Sequence, residues 1–210
     1  MRKYLTEFVG TLFFVMTIAL VVTQHNPAAP FVIGSALMVV VYFGGPVSGA
    51  HYNPAVSLAL FLRGKLSRRD LLPYWAAQLL GATVGAYFAY VVLDHGFAPA
   101  PGPNVGTATV LLVEALYTCL LALVVLNTAT RDSVRGNSYY GLAIGFTILV
   151  AVYAGGEISG GAFNPAVATG SILVNATFGD GSLKDLWLYL VGPFAGGVLG
   201  ALLFKLQGES

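Results

Sequence analysis

Gly45–Val56 reads GPVSGAHYNPAV and Gly156–Val167 reads GEISGGAFNPAV, with seven of twelve positions identical at an offset of 111 residues. Each copy runs into an uncharged stretch opened by Asn-Pro, Asn53–Leu62 in the first and Asn164–Val174 in the second. Asn is a favoured helix N-cap, and Pro is best tolerated at the first helical position. Helices of that length reach only about 15 Å at 1.5 Å per residue. That is about half the hydrocarbon thickness of a bilayer. Both stretches therefore read as half-helices that enter a membrane without crossing it.

The surrounding sequence agrees. Of 210 residues, 57% are hydrophobic and 9% charged, against about 25% charged in an ordinary soluble domain; mean hydropathy is +0.78. Too few charges exist to coat a soluble surface, and 26 glycines suit a bundle in which small residues let helices approach closely. Residues 8–62 contain no Asp, Glu, Lys or Arg, a run longer than two spans of about 20 residues each. Asn26-Pro27 and Pro30 close a first span, Tyr4–Thr23, and Gly44-Gly45-Pro46 closes a second. Four more follow: Leu71–Leu93, Thr107–Thr128, Tyr139–Tyr153 and Leu186–Phe204. The first is too long for a signal-peptide core and carries Glu7. Six spans put Arg2, Lys3, Arg63, Lys65, Arg68, Arg69, Arg131, Arg135 and Lys205 on one side and Lys184 alone on the other. The positive-inside rule then places both termini in the cytoplasm, in a plasma (inner) membrane.

The repeat extends beyond the two motifs. Glu7 matches Glu114, and Gly81, Gly85 and Ala86 match Gly196, Gly200 and Ala201. Each half carries three spans, so the halves enter from opposite sides. The expected fold is all-α, a single membrane domain over 1–210, with repeat one about 1–93, a loop at 94–106 and repeat two about 107–206. Inverted repeats with broken helices place a conduction or binding site at the midplane. There the two half-helix N-termini focus positive dipole ends, and Asn53 and Asn164 offer NH₂ donors. The approach segments, Gly49, Ala50, His51 and Tyr52, then Gly160, Gly161, Ala162 and Phe163, are expected to be non-helical and to line a pore with carbonyl acceptors. Central donors and wall acceptors suit a small neutral hydrogen-bonding solute, while the positive centre opposes cations.

On both NPA motifs, the matched glutamates, and AAQLLGATVGA (76–86) with VGPFAGGVLGA (191–201), the chain resembles the aquaporin and glycerol-facilitator family, the major intrinsic proteins. The resemblance covers essentially the whole chain. It implies a right-handed six-helix bundle, a pore in each protomer and a homotetramer. Asn53, Pro54, Ala55, Asn164, Pro165 and Ala166 would form the pore motifs, and Glu7 and Glu114 would hold the re-entrant loops. The family's outer constriction, carried over by position, falls on Ile33, Val152, Gly161 and Val167. Here the chain departs from the pattern, because Val167 stands where the family usually has Arg. The inferred filter has no charge, histidine or aromatic ring, and reads as wide and apolar. Tyr153 and Phe163 would enter the lumen if the register were off by one. Ala168 argues against glycerol, since glycerol facilitators typically carry Asp there.

Other residues read more plainly. His25, His51 and His95 have no metal spacing; His51 reads as vestibule lining rather than a protonation gate. Cys119 reads as a small buried residue. Gly81/Gly85, Gly141/Gly145 and Gly196/Gly200 mark close helix crossings, and the sequon at Asn175 reads as chance. No cofactor, metal site, nucleic-acid contact or enzymatic constellation is expected; the partners are a small neutral permeant and the lipid bilayer. The expectation is a constitutively open, passive channel for water and other small neutral solutes. Against it stand a glycerol-, ammonia- or peroxide-type facilitator with little water flux, an ion-coupled transporter using Glu7 or Glu114, and a non-conducting scaffold of the same fold.

Overall fold

The computed structural model describes residues 1–208. Six long helices, α1 (Arg2–Thr23), α2 (Ala29–Ser48), α4 (Arg68–Leu93), α5 (Thr107–Ala129), α6 (Tyr140–Ser159) and α8 (Leu186–Leu206), are long and apolar enough to cross a membrane. Two short ones, α3 (Pro54–Leu62) and α7 (Pro165–Phe178), begin at the two Asn-Pro motifs. The protein is thus an all-α, multi-pass membrane protein.

Three boundaries differ from the sequence reading. Gly44-Gly45-Pro46 does not end α2, which runs on to Ser48 and stops at Gly49 in the left-handed conformation (φ 85°). A proline in the last turn costs the helix only its own missing N–H bond, while the backbone can turn away only where glycine accepts positive φ. Likewise α6 passes Tyr153 to Ser159 and ends at Gly160 (φ 96°). The second half-helix passes Val174 to Phe178, because no breaker precedes Gly179. Its 14 residues reach about 21 Å. Asn175, the sequon residue, lies inside this helix, not in a loop.

The halves interlock. Helices α1 and α4 pack together, as do their repeat mates α5 and α8, while α2 and α6 cross at the pseudo-twofold centre. Each half-helix packs on the last helix of the other half, α3 on α8 and α7 on α4. Glycines permit these crossings. A methyl on Gly81 or Gly85 would overlap the Phe8 or Leu12 carbonyl of α1, and Gly34 and Gly145 each face the other's carbonyl oxygen at the α2–α6 crossing. Neither half encloses its own half-helix, so the core between them forms only from both.

Candidate functional site: a central pore between two re-entrant segments

Each re-entrant segment turns by placing side-chain-bearing residues at positive φ. In the first these are Ala50 (52°) and Tyr52 (49°), and in the second Phe163 (48°), beside Gly161 (64°). Such conformations cost on the order of 1 kcal/mol or more each for a non-glycine residue. A buried carboxylate offsets them. Glu7 Oε1 accepts from the Ser48 hydroxyl (2.7 Å) and the His51 N–H (3.0 Å), and Oε2 accepts from the Tyr52 N–H (2.7 Å). Glu114 repeats the pattern with Ser159 (2.8 Å), the Ala162 N–H (3.1 Å) and the Phe163 N–H (2.7 Å). A tyrosine from the third helix of each half completes the clamp: Tyr74 donates to the Ser48 carbonyl at 2.7 Å and Tyr189 to the Ser159 carbonyl at 2.6 Å. The two serines and two tyrosines escaped the sequence reading, although Ser48 and Ser159 are identical positions of the quoted repeat.

The two asparagines meet at the centre. Asn53 Oδ1 caps α3 by accepting from the Ala55 N–H (2.9 Å), and Asn164 Oδ1 caps α7 by accepting from the Ala166 N–H (2.9 Å). Each Nδ2 then crosses to the opposite segment, Asn53 to the Phe163 carbonyl (2.9 Å) and Asn164 to the Tyr52 carbonyl (2.8 Å). One hydrogen of each amide remains for the lumen. The Tyr52 and Phe163 carbonyls, both expected in the carbonyl ladder, each accept one of these bonds and so stitch the halves together. Pro54, Ala55, Pro165 and Ala166 are buried beneath the asparagines as the first turns of their helices.

A narrow cavity runs through this centre, with about 30 Å³ open to the centre of a water-sized sphere. Its walls come almost wholly in repeat-related pairs: Phe14/Leu121, Ile18/Val125, Ile33/Ile144, Leu37/Ile148, Val41/Val152, Ala50/Gly161, His51/Ala162 and Asn53/Asn164. Three of the four expected filter residues, Ile33, Val152 and Gly161, are in that wall. Val167 is not; it is 2% exposed and packed in the apolar core. Its repeat mate Val56, in the first turn of α3, does line the cavity, so the difference lies in how each valine is packed and not in the length of its side chain. Tyr52 is in the cavity wall, Gly49 lines a vestibule at the end nearer the chain termini instead, and Gly160 and Phe163 line neither. The Phe163 ring stacks edge-on against Tyr117, Tyr153 is 61% exposed on the outer surface, and Tyr52 fills a niche left by Gly10 and Gly44. Of these three, Tyr153 and Phe163 are outside the cavity wall, and Tyr52 belongs to it while its ring packs against α1 and α2.

The cavity opens at the end nearer the chain termini into a wider vestibule walled by Lys3, Lys65, Asp70, Arg131, Asp132 and Arg135 among others, with Lys3 paired to Asp70 at 2.7 Å. Cys119 is buried on α5 facing α8, away from the cavity wall. Organomercurial treatment is therefore expected to leave flux unchanged in stopped-flow assays; a reversible block would place the thiol in the lumen. His25 and His95 lie outside the cavity, and among the described residues no group of three His, Cys, Asp or Glu could hold a metal.

Comparison with known proteins agrees with this geometry. The family model described as major intrinsic protein matches residues 1–204. The chain is 35% identical to glycerol uptake facilitator protein-like 6 of Lactiplantibacillus plantarum, covering 100% of this chain and 99% of that relative. It is 35% identical to aquaporin NIP1-1 of Zea mays (98% of this chain, 74% of the relative) and 34% identical to aquaporin-8 of Mus musculus (96% and 80%). Among solved structures, an aquaglyceroporin from Plasmodium falciparum has the same fold, with a TM-score of 0.85 at 24% identity over 97% of this chain and 95% of that one.

Proposed function

The chain belongs to the major intrinsic protein family, and from that premise we propose that its outer solute filter is the apolar neck of Ile33, Val152 and Gly161, left wide because Val167 does not reach it. The protein is a passive transmembrane channel for water and small neutral solutes such as glycerol. The observation that carries the filter reading is the paired lining of the cavity, in which the asparagine amides are the side-chain donors at the centre and the outer neck offers none. A permeant there sheds water against carbonyl acceptors and hydrocarbon alone, so the neck favours solutes with an apolar side over strongly hydrated ones. Cation exclusion falls to the two half-helix dipoles. The lumen reads as open, since the Tyr52 and Phe163 rings pack into the helix bundle, which speaks against a blocked scaffold.

The channel operates as one domain built of two repeats, with both termini in the cytoplasm of a plasma (inner) membrane. The convergence of Lys3, Lys65, Arg131 and Arg135 at one mouth supports that orientation. A homotetramer with one pore per protomer is the assembly the family suggests, its outer apolar faces being abundant enough for such contacts.

Stopped-flow light scattering of proteoliposomes tests the filter. Fast shrinkage in sucrose followed by re-swelling in glycerol is the expected result. Shrinkage without re-swelling would mean a neck too narrow for glycerol and would overturn the wide-filter reading.

A further inference from the structure

The central cavity meets the vestibule at four shared wall residues: Val41 of α2, His51 of the first re-entrant segment, Val125 of α5 and Ile144 of α6. Their repeat mates, Val152, Ala162, Ile18 and Ile33, line the other end of the cavity. Ile33 and Val41 stand eight residues apart on α2, as do Ile144 and Val152 on α6, a separation of about 12 Å. The pore thus has two necks built on one plan, on either side of the asparagine pair, and a permeant crosses them in series. We infer that the vestibule neck, narrowed by Val56 and Ala50, sets the size limit of this channel in place of the outer neck.

The repeat allows the two necks to be compared side chain by side chain. Val41 matches Val152, and Ile144 matches Ile33, with no change of residue. Val125 has one carbon fewer than Ile18, the single exchange that opens the vestibule neck. The other three differences close it. Ala50 puts a methyl where Gly161 has none, and His51 puts a ring where Ala162 has a methyl. Val56 is in the cavity wall, and its mate Val167 is not. Val56 sits in the first turn of α3, between Asn53 at the centre and Leu60 in the vestibule wall. Its bulk therefore falls on the vestibule side.

This neck has little freedom to yield. The Ala50 N–H donates to Ser48 Oγ at 3.0 Å and the His51 N–H to Glu7 Oε1 at 3.0 Å, which pins the segment's backbone. The His51 ring lies against Tyr74, centroids 4.8 Å apart, with Nδ1 3.0 Å from the Ser57 hydroxyl. Passive flux through two barriers in series is governed by the higher one. A polyol that clears the outer neck is therefore still sorted by size at the vestibule neck, and pore diameter there decides which solutes pass.

The inference rests on the wide outer neck proposed above, and the experiment separates the two. Full-length protein, Val56→Ala, Ala50→Gly and Ile33→Ala are reconstituted, and folding is checked by thermal unfolding. Re-swelling is followed in glycerol and in the four-carbon polyol erythritol. Ala50→Gly copies the outer neck and suits its backbone, because Ala50 has φ 52°; it keeps the test in force should Val56→Ala fail to fold. The expected erythritol gain over the parent is about fivefold in Val56→Ala, the rate equivalent of about 1 kcal/mol of barrier, and about twofold in Ala50→Gly. Ile33→Ala removes more carbon, from the outer neck, and is expected to gain less than either. A gain in Ile33→Ala that matches or exceeds those of the folded vestibule-neck variants, or no gain in those variants, would overturn the inference. Glycerol flux in the parent upholds the wide outer neck whichever variant gains more. Glycerol flux in Ile33→Ala alone would overturn both.

Discussion

Glu114→Leu is expected to yield no folded channel, seen as loss of monodisperse protein in detergent and of solute flux in proteoliposomes. Two backbone N–H groups, of Ala162 and Phe163, donate to this carboxylate along with the Ser159 hydroxyl. Glu114, Ser159 and Phe163 are fully buried and Ala162 nearly so, which leaves little room for solvent to replace the acceptor. Each unpaired group costs roughly 1–3 kcal/mol in a protein interior and more in hydrocarbon, and Phe163 at φ 48° adds its own strain of about 1 kcal/mol. The sum rivals the whole stability of a small domain. Glu114→Gln keeps one acceptor and turns a donor towards an N–H, so it should recover only part of the folded yield. A carboxylate that relayed protons would behave otherwise. Glu114→Gln would then fold as well as the parent and lose only coupling to ion flux. Full folded yield from both variants would remove the clamp reading.

Much of this architecture was legible in the sequence because the chain states it twice. An offset of 107 residues paired Glu7 with Glu114, and the offset of 111 exposed the motifs and the half-helices. The same offset relates Ile33 to Ile144 and Val41 to Val152, so the near-symmetry of the two necks was also written there. It went unread because hydrophobic positions on a helix look alike until packing shows which face the lumen. Helix ends were misread for a physical reason: Gly-Gly-Pro looks like a breaker, but the turn occurs at Gly49, where positive φ is required. The clamping tyrosines, Tyr74 and Tyr189, lie far from the loops in sequence and carry no local signal. The contacts of Gln78 with Ser57 and of Ser57 with His51 join α4, α3 and a loop, a meeting that no spacing rule supplies. Val167 sits in the first turn of α7, yet that it packs into the core while its repeat mate Val56 lines the cavity follows from packing that no sequence pattern shows.

That reach makes Val167→Arg the most informative change at the outer mouth. Glycerol flux is expected to fall tenfold or more, with water falling much less. The three methylenes of arginine can follow the path of the valine along α7 and carry the guanidinium past it, into the neck between Ile33, Val152 and Gly161. Carbonyls of the 160–163 segment are near to accept from it, since Gly161 and Ala162 line that wall. The head then occupies space that a three-carbon solute needs, and a water molecule can pass by exchanging hydrogen bonds with it. A tenfold loss corresponds to about 1.4 kcal/mol of added barrier, less than the cost of squeezing a polyol through a neck that no longer yields. The fixed positive charge also adds to the central dipoles in opposing cations, so any cation leak of the parent should decrease together with glycerol. The paired change at the inner mouth provides the control: Val56 is the repeat mate of Val167 and already lines the cavity, so Val56→Arg should obstruct water and glycerol alike. If Val167→Arg lowers both fluxes equally, the side chain blocks the neck without selecting. If it alters neither, the guanidinium lies outside the lumen, and the apolar outer neck does not owe its width to the valine.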